Sequence, residues 1–555
     1  MNMMITRNKP HKKILIQIAC LLFLLAGCSN VGNSNSSTTG TEESKSSKPV
    51  SGGEFTYALS TPPDTLDPQA SGFAVSYRVL KSIFETLVYQ SKDNTIEPWL
   101  ATEWDISEDQ KSYTFKLRDD VTFHDGSKFN AEVVKYNFER ILNPKTRATT
   151  AASYLGKFKS IEILDDYTIK INLSEPSATF LTLLAHTNLS IVSQEAAEKY
   201  GDQFNAHPVG SGPFKFVEQV ENDRIVLEKN ENYHGGYPFA EHDGPAYLDK
   251  LVFKIIPEEA TRIGSVQSGQ VNAIETVPPQ DVVSIKANNQ LNILEAATGG
   301  LPYTLFINHT TATAPWDDVK ARQALKAAID VKTIVNTLYL GTYKRAWSSL
   351  APITFGYDKS LENKDSYDVK KANQLFDELG WEKASDGLRK KDGKILTLRI
   401  LNDAINREKR QDISLMVQQQ LKEVGVQVEL ITTNDPLSIL KDAKGYDLRG
   451  NSRVALDPDD LTLFYHSQKT RDTGGLNLSW IKDKEIDTWL ENAAVELDKE
   501  KRADLYKQVQ QKLIDQVAVI PIYDFPYTVA AAKKVQGLKF DSLGYPLFFD
   551  VNLQK

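Results

Sequence analysis

The chain has 555 residues, 41% hydrophobic and 25% charged, with 65 Lys and Arg against 73 Asp and Glu and two cysteines. The length allows two or three domains at about 150 residues each, and the composition is that of a globular protein. The acidic balance, with no Lys/Arg-rich block, argues against a nucleic-acid partner. Both cysteines, Cys20 and Cys28, lie near the start, so the body has no thiol for disulfides, thiolate–zinc sites or nucleophilic catalysis.

Arg7, Lys9, Lys12 and Lys13 precede an apolar run from Ile14 to Ala26 broken only by Gln17. Basic residues, a short apolar core and small residues at its end follow the order of a secretory leader. The run falls short of the roughly 20 residues that a bilayer-crossing helix needs. It ends in Leu25-Ala26-Gly27-Cys28, which resembles the lipobox of bacterial lipoproteins. That resemblance implies a signal peptide over 1–27, cleavage before Cys28, a diacylglycerol on the Cys28 thiol and acylation of the new amine. Several acyl chains, at about 0.8 kcal/mol per buried methylene, hold a protein stably on a membrane. Removing a leader with four basic and no acidic residues takes the net charge from −8 to −12. Residues 28–53 are rich in Ser, Asn, Thr and Gly, too polar to offset their ordering entropy, and are predicted to be a flexible tether. The expected location is the cell membrane, lipid-anchored and facing outside the cytoplasm.

Folded sequence begins at Glu54-Phe55-Thr56-Tyr57-Ala58, whose alternation predicts a strand. Val75 to Val88 reads as an amphipathic helix with Val75, Val79, Ile83 and Leu87 in register. Tyr113 to Arg118 alternates as a strand, and Asn130 is placed to cap a helix from Ala131 to Leu142 that Asn143-Pro144 stops. Ile161 to Leu173 predicts a hairpin turning at Asp165-Asp166, and Leu251 to Ile256 a buried strand. Thr397 to Leu401, Glu408 to Gly425 and Val426 to Ile431 form a strand–helix–strand unit. Alternating short strands and helices indicate an α/β protein.

Several segments carry a resemblance. Leu100 to Arg140, Pro208-Val209-Gly210-Ser211-Gly212-Pro213-Phe214, Asn230-Glu231-Asn232-Tyr233, Ser268 to Ala273 and Val319 to Leu325 together resemble the peptide/nickel family of extracellular solute-binding proteins, the receptors of ATP-driven (ABC) importers. The matches run from about residue 54 to 525. The resemblance implies a two-lobed periplasmic-binding-protein-like α/β fold with a hinge and an enlarged, discontinuous first lobe. On that basis lobe I is expected over 54–297, lobe II over 298–518, and a C-terminal return to lobe I over 519–555. It also implies a short peptide or peptide-like solute, permease and ATPase partners, a monomer, and no membrane contact beyond the lipid anchor. A metal-chelate (nickel) receptor, favoured if Arg147 and His466 face the cleft together, and a ligand sensor or chaperone on the same fold stand as alternatives.

No enzyme is expected. Gly210-Ser211-Gly212 lacks the Gly-x-Ser-x-Gly spacing of a nucleophile elbow, and no His-Glu-x-x-His or phosphate-loop pattern occurs. No cofactor or metal is assigned, and His234, Glu241, His242 and Asp243 read as a surface loop. Peptide members of the family hold the ligand amine with an Asp shortly before an Asp-Pro pair; here the pair is Asp457-Pro458 and the matching residue is Val454. Dipeptide members use an Arg just after the strand matching Thr397 to Leu401; here Ala404 sits near that place with Arg407 close by. Arg147 falls where a nickel-chelate member contacts carboxylates. Arg453 follows the strand Tyr446 to Leu448 and suits a carboxylate, with a surface pairing to Asp457 or Asp459 as the alternative. Trp347 is a candidate aromatic wall or a core side chain, and Phe73 a candidate ligand contact from the first lobe.

Overall fold

Glu54–Leu59 is the strand its alternation predicts, and it forms the centre of a seven-stranded mixed sheet in the computed structural model. The structure describes residues 48–554 apart from 235–236, 239 and 311–314. The predicted leader, Cys28 and the tether up to Ser47 lie outside the described residues. Across the sheet the order is Leu291–Ala297, Pro526–Ala532, Ala273–Glu275, Glu54–Leu59, Lys250–Ile255, Arg224–Lys229 and Phe214–Val220. Glu54–Leu59 runs parallel to both neighbours, and such strands are covered on both faces. Phe55, Tyr57 and Leu59 enter one core cluster, while Ala58 enters another on the opposite face.

The first lobe also holds a four-stranded antiparallel sheet, ordered Ala101–Ile106, Ser112–Leu117, Thr168–Leu173, Phe158–Asp165. Helix Ala131–Leu142 buries Val134, Phe138 and Ile141 with Phe115, Ile169 and Ile171 of that sheet. Asn130 Oδ1 accepts the Val133 N–H at 3.1 Å, a cap of the kind that stabilises a helix by about 1 kcal/mol.

The helix predicted over 75–88 is shorter. It spans Ala74–Leu80, and the chain beyond it is drawn out by tertiary hydrogen bonds. The Gly212 N–H donates to the Ile83 carbonyl at 2.9 Å, Phe214 N–H to Ser82 O at 3.0 Å and Ile191 N–H to Glu85 O at 2.9 Å. Residues 88–90 then pair as a strand with Ile96–Pro98. This use of the 82–85 backbone explains the glycine turn, because a Cβ on Gly210 would lie 2.1 Å from the Ile83 carbonyl oxygen. Ser211 Oγ donates to the buried Glu85 at 2.7 Å, a packing role.

The second lobe is built on a six-stranded sheet ordered Lys344–Arg345, Val519–Asp524, Gly300–Ile307, Leu448–Val454, Thr397–Asp403, Gln427–Thr433. Thr397–Asp403 and Gln427–Thr433 pair in parallel and are joined by helix Arg410–Glu423, the predicted unit. Tyr303, Leu305 and Ile307 pack with helices Val319–Ala327, Val331–Tyr339, Val369–Glu378 and Arg410–Glu423. Leu301 and Phe306 pack on the opposite face with Asp460–Tyr465, Lys484–Ala493 and Lys499–Asp515. The expected lobe boundary at 518/519 falls short of this sheet's end: Val519–Asp524 pairs with Gly300–Ile307 and Lys344–Arg345. The return to the first sheet therefore runs through Phe525.

Among the described residues no helix is long and apolar enough to cross a membrane, and no cluster of His, Cys, Asp and Glu could hold a metal ion. His242 is held by Asp550 through Nδ1 at 3.0 Å and stacks on Phe549 with ring centroids 4.4 Å apart.

Candidate interlobe binding site

The chain passes between the two sheets after Ala297 and again at Phe525, and Thr298 Oγ1 donates to the Phe525 carbonyl at 2.9 Å. Away from these crossings the lobes meet through Gln90 Nε2 to Leu456 O at 3.1 Å, Asn94 Nδ2 to Ile353 O at 3.3 Å and Ala178 N to Ala494 O at 2.9 Å. Between these contacts polar and aromatic side chains of the two lobes face each other, and this seam is the candidate cleft.

The first lobe contributes Tyr77 from helix Ala74–Leu80, Tyr154 from the end of helix Thr149–Tyr154, and His186 between them. The His186 ring centroid lies 5.2 Å from that of Tyr77 and 4.8 Å from that of Tyr154, both edge-on. His186 Nδ1 accepts the Asn188 N–H at 3.2 Å, which assigns the imidazole proton to Nε2. Burial, reinforced by the Lys81 and Arg453 charges, pushes the His186 pKa down to about 3, so the ring is neutral at physiological pH. Burial raises the Tyr154 hydroxyl to about 12 against the pull of Arg453. Tyr77 and Tyr545 are likewise raised, chiefly by burial. This wall therefore presents neutral polar groups and aromatic faces, with the Tyr77 hydroxyl already donating to Asn188 Oδ1 at 2.8 Å.

Two other cations of the first lobe are consumed internally. Arg78 pairs with Glu275 at 2.5 Å and lies over the Tyr527 ring, 4.6 Å from its centroid, while Lys81 pairs with Asp541. Burial disfavours the Glu275 carboxylate, but Arg78, Ser60 and Tyr527 outweigh it and its pKa falls.

Arg453 faces this wall from strand Leu448–Val454 of the second lobe, and its charge acts on Tyr154, Tyr77 and His186. Its Nε donates to Asp460 Oδ2 at 2.5 Å. Neither Asp457 nor Asp459, the partners considered from sequence, takes this role. Asp457 is gripped by Arg502 at 2.6 and 2.9 Å. Asp459 accepts from Thr462 Oγ1 at 3.0 Å, and burial plus the Asp457 charge lift its pKa to about 6. Asp460 is also raised by burial, which Arg453 partly opposes.

The loop after Thr397–Asp403 brings a second cation. Arg407 is 66% exposed and acts on Tyr545 of the first lobe. Glu408 and Lys409 adopt left-handed backbone, φ 52° and 57°, at a cost of about 1–3 kcal/mol each for non-glycine residues. Glu408 anchors them: it accepts from Tyr523 Oη at 2.7 Å and Arg407 Nε at 2.8 Å. Burial disfavours its charge, yet Arg410 and Arg407 hold its pKa at about 2.

The residues proposed from sequence distribute unevenly. Phe73, 60% exposed, immediately precedes the helix that carries Tyr77. Arg147 is exposed at the left-handed end of the turn Pro144–Thr146, just before the helix that carries Tyr154. Arg453 faces both tyrosines. Trp347 lies apart, under the Arg345 guanidinium at 4.1 Å, in a pocket lined by second-lobe residues. His466 does not join Arg147, since its Nε2 meets Glu491 at 3.1 Å and its Nδ1 accepts from Gln468 N at 3.2 Å. Tyr77, Tyr154, His186, Tyr545 and Asp460 were not singled out from sequence, because each is an isolated side chain whose neighbours come from distant segments.

Comparison with known proteins matches this architecture. A model of the family described as bacterial extracellular solute-binding proteins, family 5 Middle, covers residues 95–475. Heme-binding protein A of Haemophilus influenzae is 30% identical over 569 residues, covering 98% of this chain and 99% of that protein. Oligopeptide-binding protein AppA of Bacillus subtilis is 26% identical over 552 residues, covering 96% and 97%. The solved structure of the ABC transporter-associated periplasmic binding protein DppA from Helicobacter pylori, in complex with peptide STSA, aligns with a TM-score of 0.74 at 26% identity, covering 91% of this chain and 99% of that one. The two-lobed fold, the paired crossings and the family match agree: the chain belongs to family 5 of the bacterial extracellular solute-binding proteins.

Proposed function

We propose that the chain is the lipid-anchored, non-enzymatic receptor of an ABC importer, and that its solute is a short peptide or peptide-like molecule bearing a carboxylate. The observation that carries this reading is Arg453, which reaches from the second lobe toward Tyr77, Tyr154 and His186 of the first. A carboxylate placed there takes charge-assisted hydrogen bonds from Arg453 and a neutral N–H from His186 Nε2. A ligand contacting both lobes stabilises their closed arrangement by its differential affinity for it. The oligopeptide binding of AppA and the peptide bound to DppA support the ligand class. Val454, matching the amine-binding Asp of peptide members, packs against the first lobe's core, so amine recognition contributes little at that position.

A second reading is a carboxylate-bearing tetrapyrrole, supported by the described heme binding of the Haemophilus influenzae relative and by the aromatic wall. A nickel chelate held by His466 is disfavoured, because that imidazole is engaged within its own lobe.

The test is mass spectrometry of small molecules released on denaturing the purified protein, followed by calorimetric titration of the identified solute into stripped protein. A peptide-like carboxylate that loses affinity when amidated is expected. A visible-absorbing macrocycle selects the second reading. A solute without any carboxylate, or one imported equally well by cells lacking the chain, overturns the proposal.

A further inference from the structure

Trp347 belongs to a different cavity, which encloses about 370 Å³ between the edge strand Lys344–Arg345, helix Val319–Ala327 and helix Lys499–Asp515 of the second lobe. Its lining is charged with one sign in excess. Lys326, Arg345, Lys364 and Lys371 face it, against Asp515, and Arg345 also pairs with Asp365 at 3.1 Å. Two positive charges are left over.

Arg345 is the telling residue. Its side chain is only 15% exposed, yet Nε and Nη1 are buried without a hydrogen bond. Asp365 compensates the Nη1 side as an ion pair at 3.1 Å, which leaves Nε as the donor without a partner among the described residues. The guanidinium is fixed face-on over the Trp347 indole, which orients its donors without satisfying them. Lys326 is partly buried nearby, and burial, followed by the Arg345 charge, lowers its pKa. A buried donor without an acceptor is costly, and so are two close, partly buried cations that Asp365 and Asp515 only partly offset. A single dianion between them relieves both penalties.

We propose that this cavity is a second binding site, for a small soluble dianion of the phosphate type, separate from the interlobe cleft. Arg345 supplies the guanidinium charge over the Trp347 ring, Lys326 supplies charge from the facing helix, and the exposed Lys364 and Lys371 lie at the rim. The excess of two positive charges matches the ligand charge, and a cavity of about 370 Å³ suits a small oxyanion.

The test uses the purified full chain in detergent, titrated with inorganic phosphate against sodium chloride at matched ionic strength. Tryptophan fluorescence and calorimetry are the readouts. Saturable one-to-one binding with a fluorescence change is expected for phosphate but not for chloride. Arg345→Gln should weaken phosphate about tenfold, the loss expected for a charge-assisted contact, while the cleft solute binds as before. Trp347→Phe should retain phosphate affinity within about twofold, as its ring is an apolar platform, and lose the fluorescence change. If Arg345→Gln misfolds, the rim double variant Lys364→Gln/Lys371→Gln tests the same site and should weaken phosphate several-fold. The proposal is overturned by phosphate behaving like chloride, by wild-type affinity in Arg345→Gln or in the rim variant, or by loss of phosphate binding in Arg453→Gln with retention in Arg345→Gln, which would place the anion in the cleft.

Discussion

Gly300 lies directly against the backbone of Arg453: a Cβ on Gly300 would sit 2.3 Å from the Arg453 carbonyl oxygen and 2.5 Å from the Ala455 nitrogen. The glycine occupies φ +100° at the start of strand Gly300–Ile307, just past the crossing between the sheets. The crossing and the cation that faces the cleft are thereby one packing unit. Gly300→Ala has no side-chain end to yield, only backbone, so the two strands must part. We expect a loss of about 2 kcal/mol or more, exceeding the usual gain from a Gly→Ala change in the unfolded chain. Solute affinity should fall as well, because Arg453 is displaced. Denaturant melts and solute titration check this. A variant with wild-type values in both would show that the strands separate freely.

Asp524 ends strand Val519–Asp524 beside the second crossing, with Oδ1 buried and unbonded. Burial lifts its pKa to about 8, opposed by Lys344 and aided by Glu362. Its folded pKa is raised above the ordinary value near 3.9. The folded state therefore binds this proton more tightly, and the associated stability is full below about pH 4 and lost as pH rises to about 8. Asp524→Asn removes the titration. Wild type should lose about 2 kcal/mol or more relative to the variant between pH 5 and pH 8, within the limit of about 1.4 kcal/mol per pH unit. Parallel pH profiles for the two proteins would rule this out.

Much of the fold was legible where its causes are local. Asn130 caps its helix through a side chain three residues from the donor it satisfies, and the Thr397-to-Ile431 unit carries its own periodicity. The helix beyond Leu80 was misread because its competitors, the 191–214 backbone groups, lie more than a hundred residues away. The lobe boundary was set early because Val519–Asp524 is a strand whose partners start at Gly300 and Lys344. Arg453, expected just after a strand ending at Leu448, lies inside strand Leu448–Val454, which runs further than the sequence suggests. Its partner Asp460 was not legible, since three aspartates stand within four residues of one another and only packing tells that Arg502 takes Asp457. His186 and Tyr154 have no motif; they matter because Arg453 arrives opposite them.

Lipid anchoring is tested at Cys28. On the proposed anchoring, the apolar run Ile14 to Ala26 is too short to span a bilayer, so the attachment would rest on the Cys28 thiol. Cys28→Ser should appear in the medium or remain unprocessed, and should leave the detergent phase in which the wild type partitions. A variant that stays in the detergent phase contradicts the anchor.

The proposed carboxylate clamp makes a sharper demand, because the ion pair that Arg453 makes with Asp460 can be separated from the binding role proposed for it. Its Nε neutralises Asp460, whose pKa burial already raises. Arg453→Ala should therefore lower the melting temperature of the unliganded protein, leaving a partly buried carboxylate without its cation. It should also weaken solute binding by about 2–5 kcal/mol, roughly 30-fold or more at about 1.4 kcal/mol per tenfold. Adding Asp460→Asn removes the orphaned charge, so Arg453→Ala/Asp460→Asn should regain most of the melting temperature while binding stays weak. Arg147 has no such internal duty: it is exposed and makes no side-chain ion pair among the described residues. Arg147→Ala should leave the unliganded melting temperature unchanged and, if it completes the clamp, cost a comparable factor in affinity. Calorimetric titration of the co-purifying solute into the three variants decides the matter. Binding restored in the double variant would reduce Arg453 to a structural partner of Asp460. Wild-type affinity in Arg147→Ala would confine the clamp to the second lobe, and wild-type affinity in both single variants would remove it.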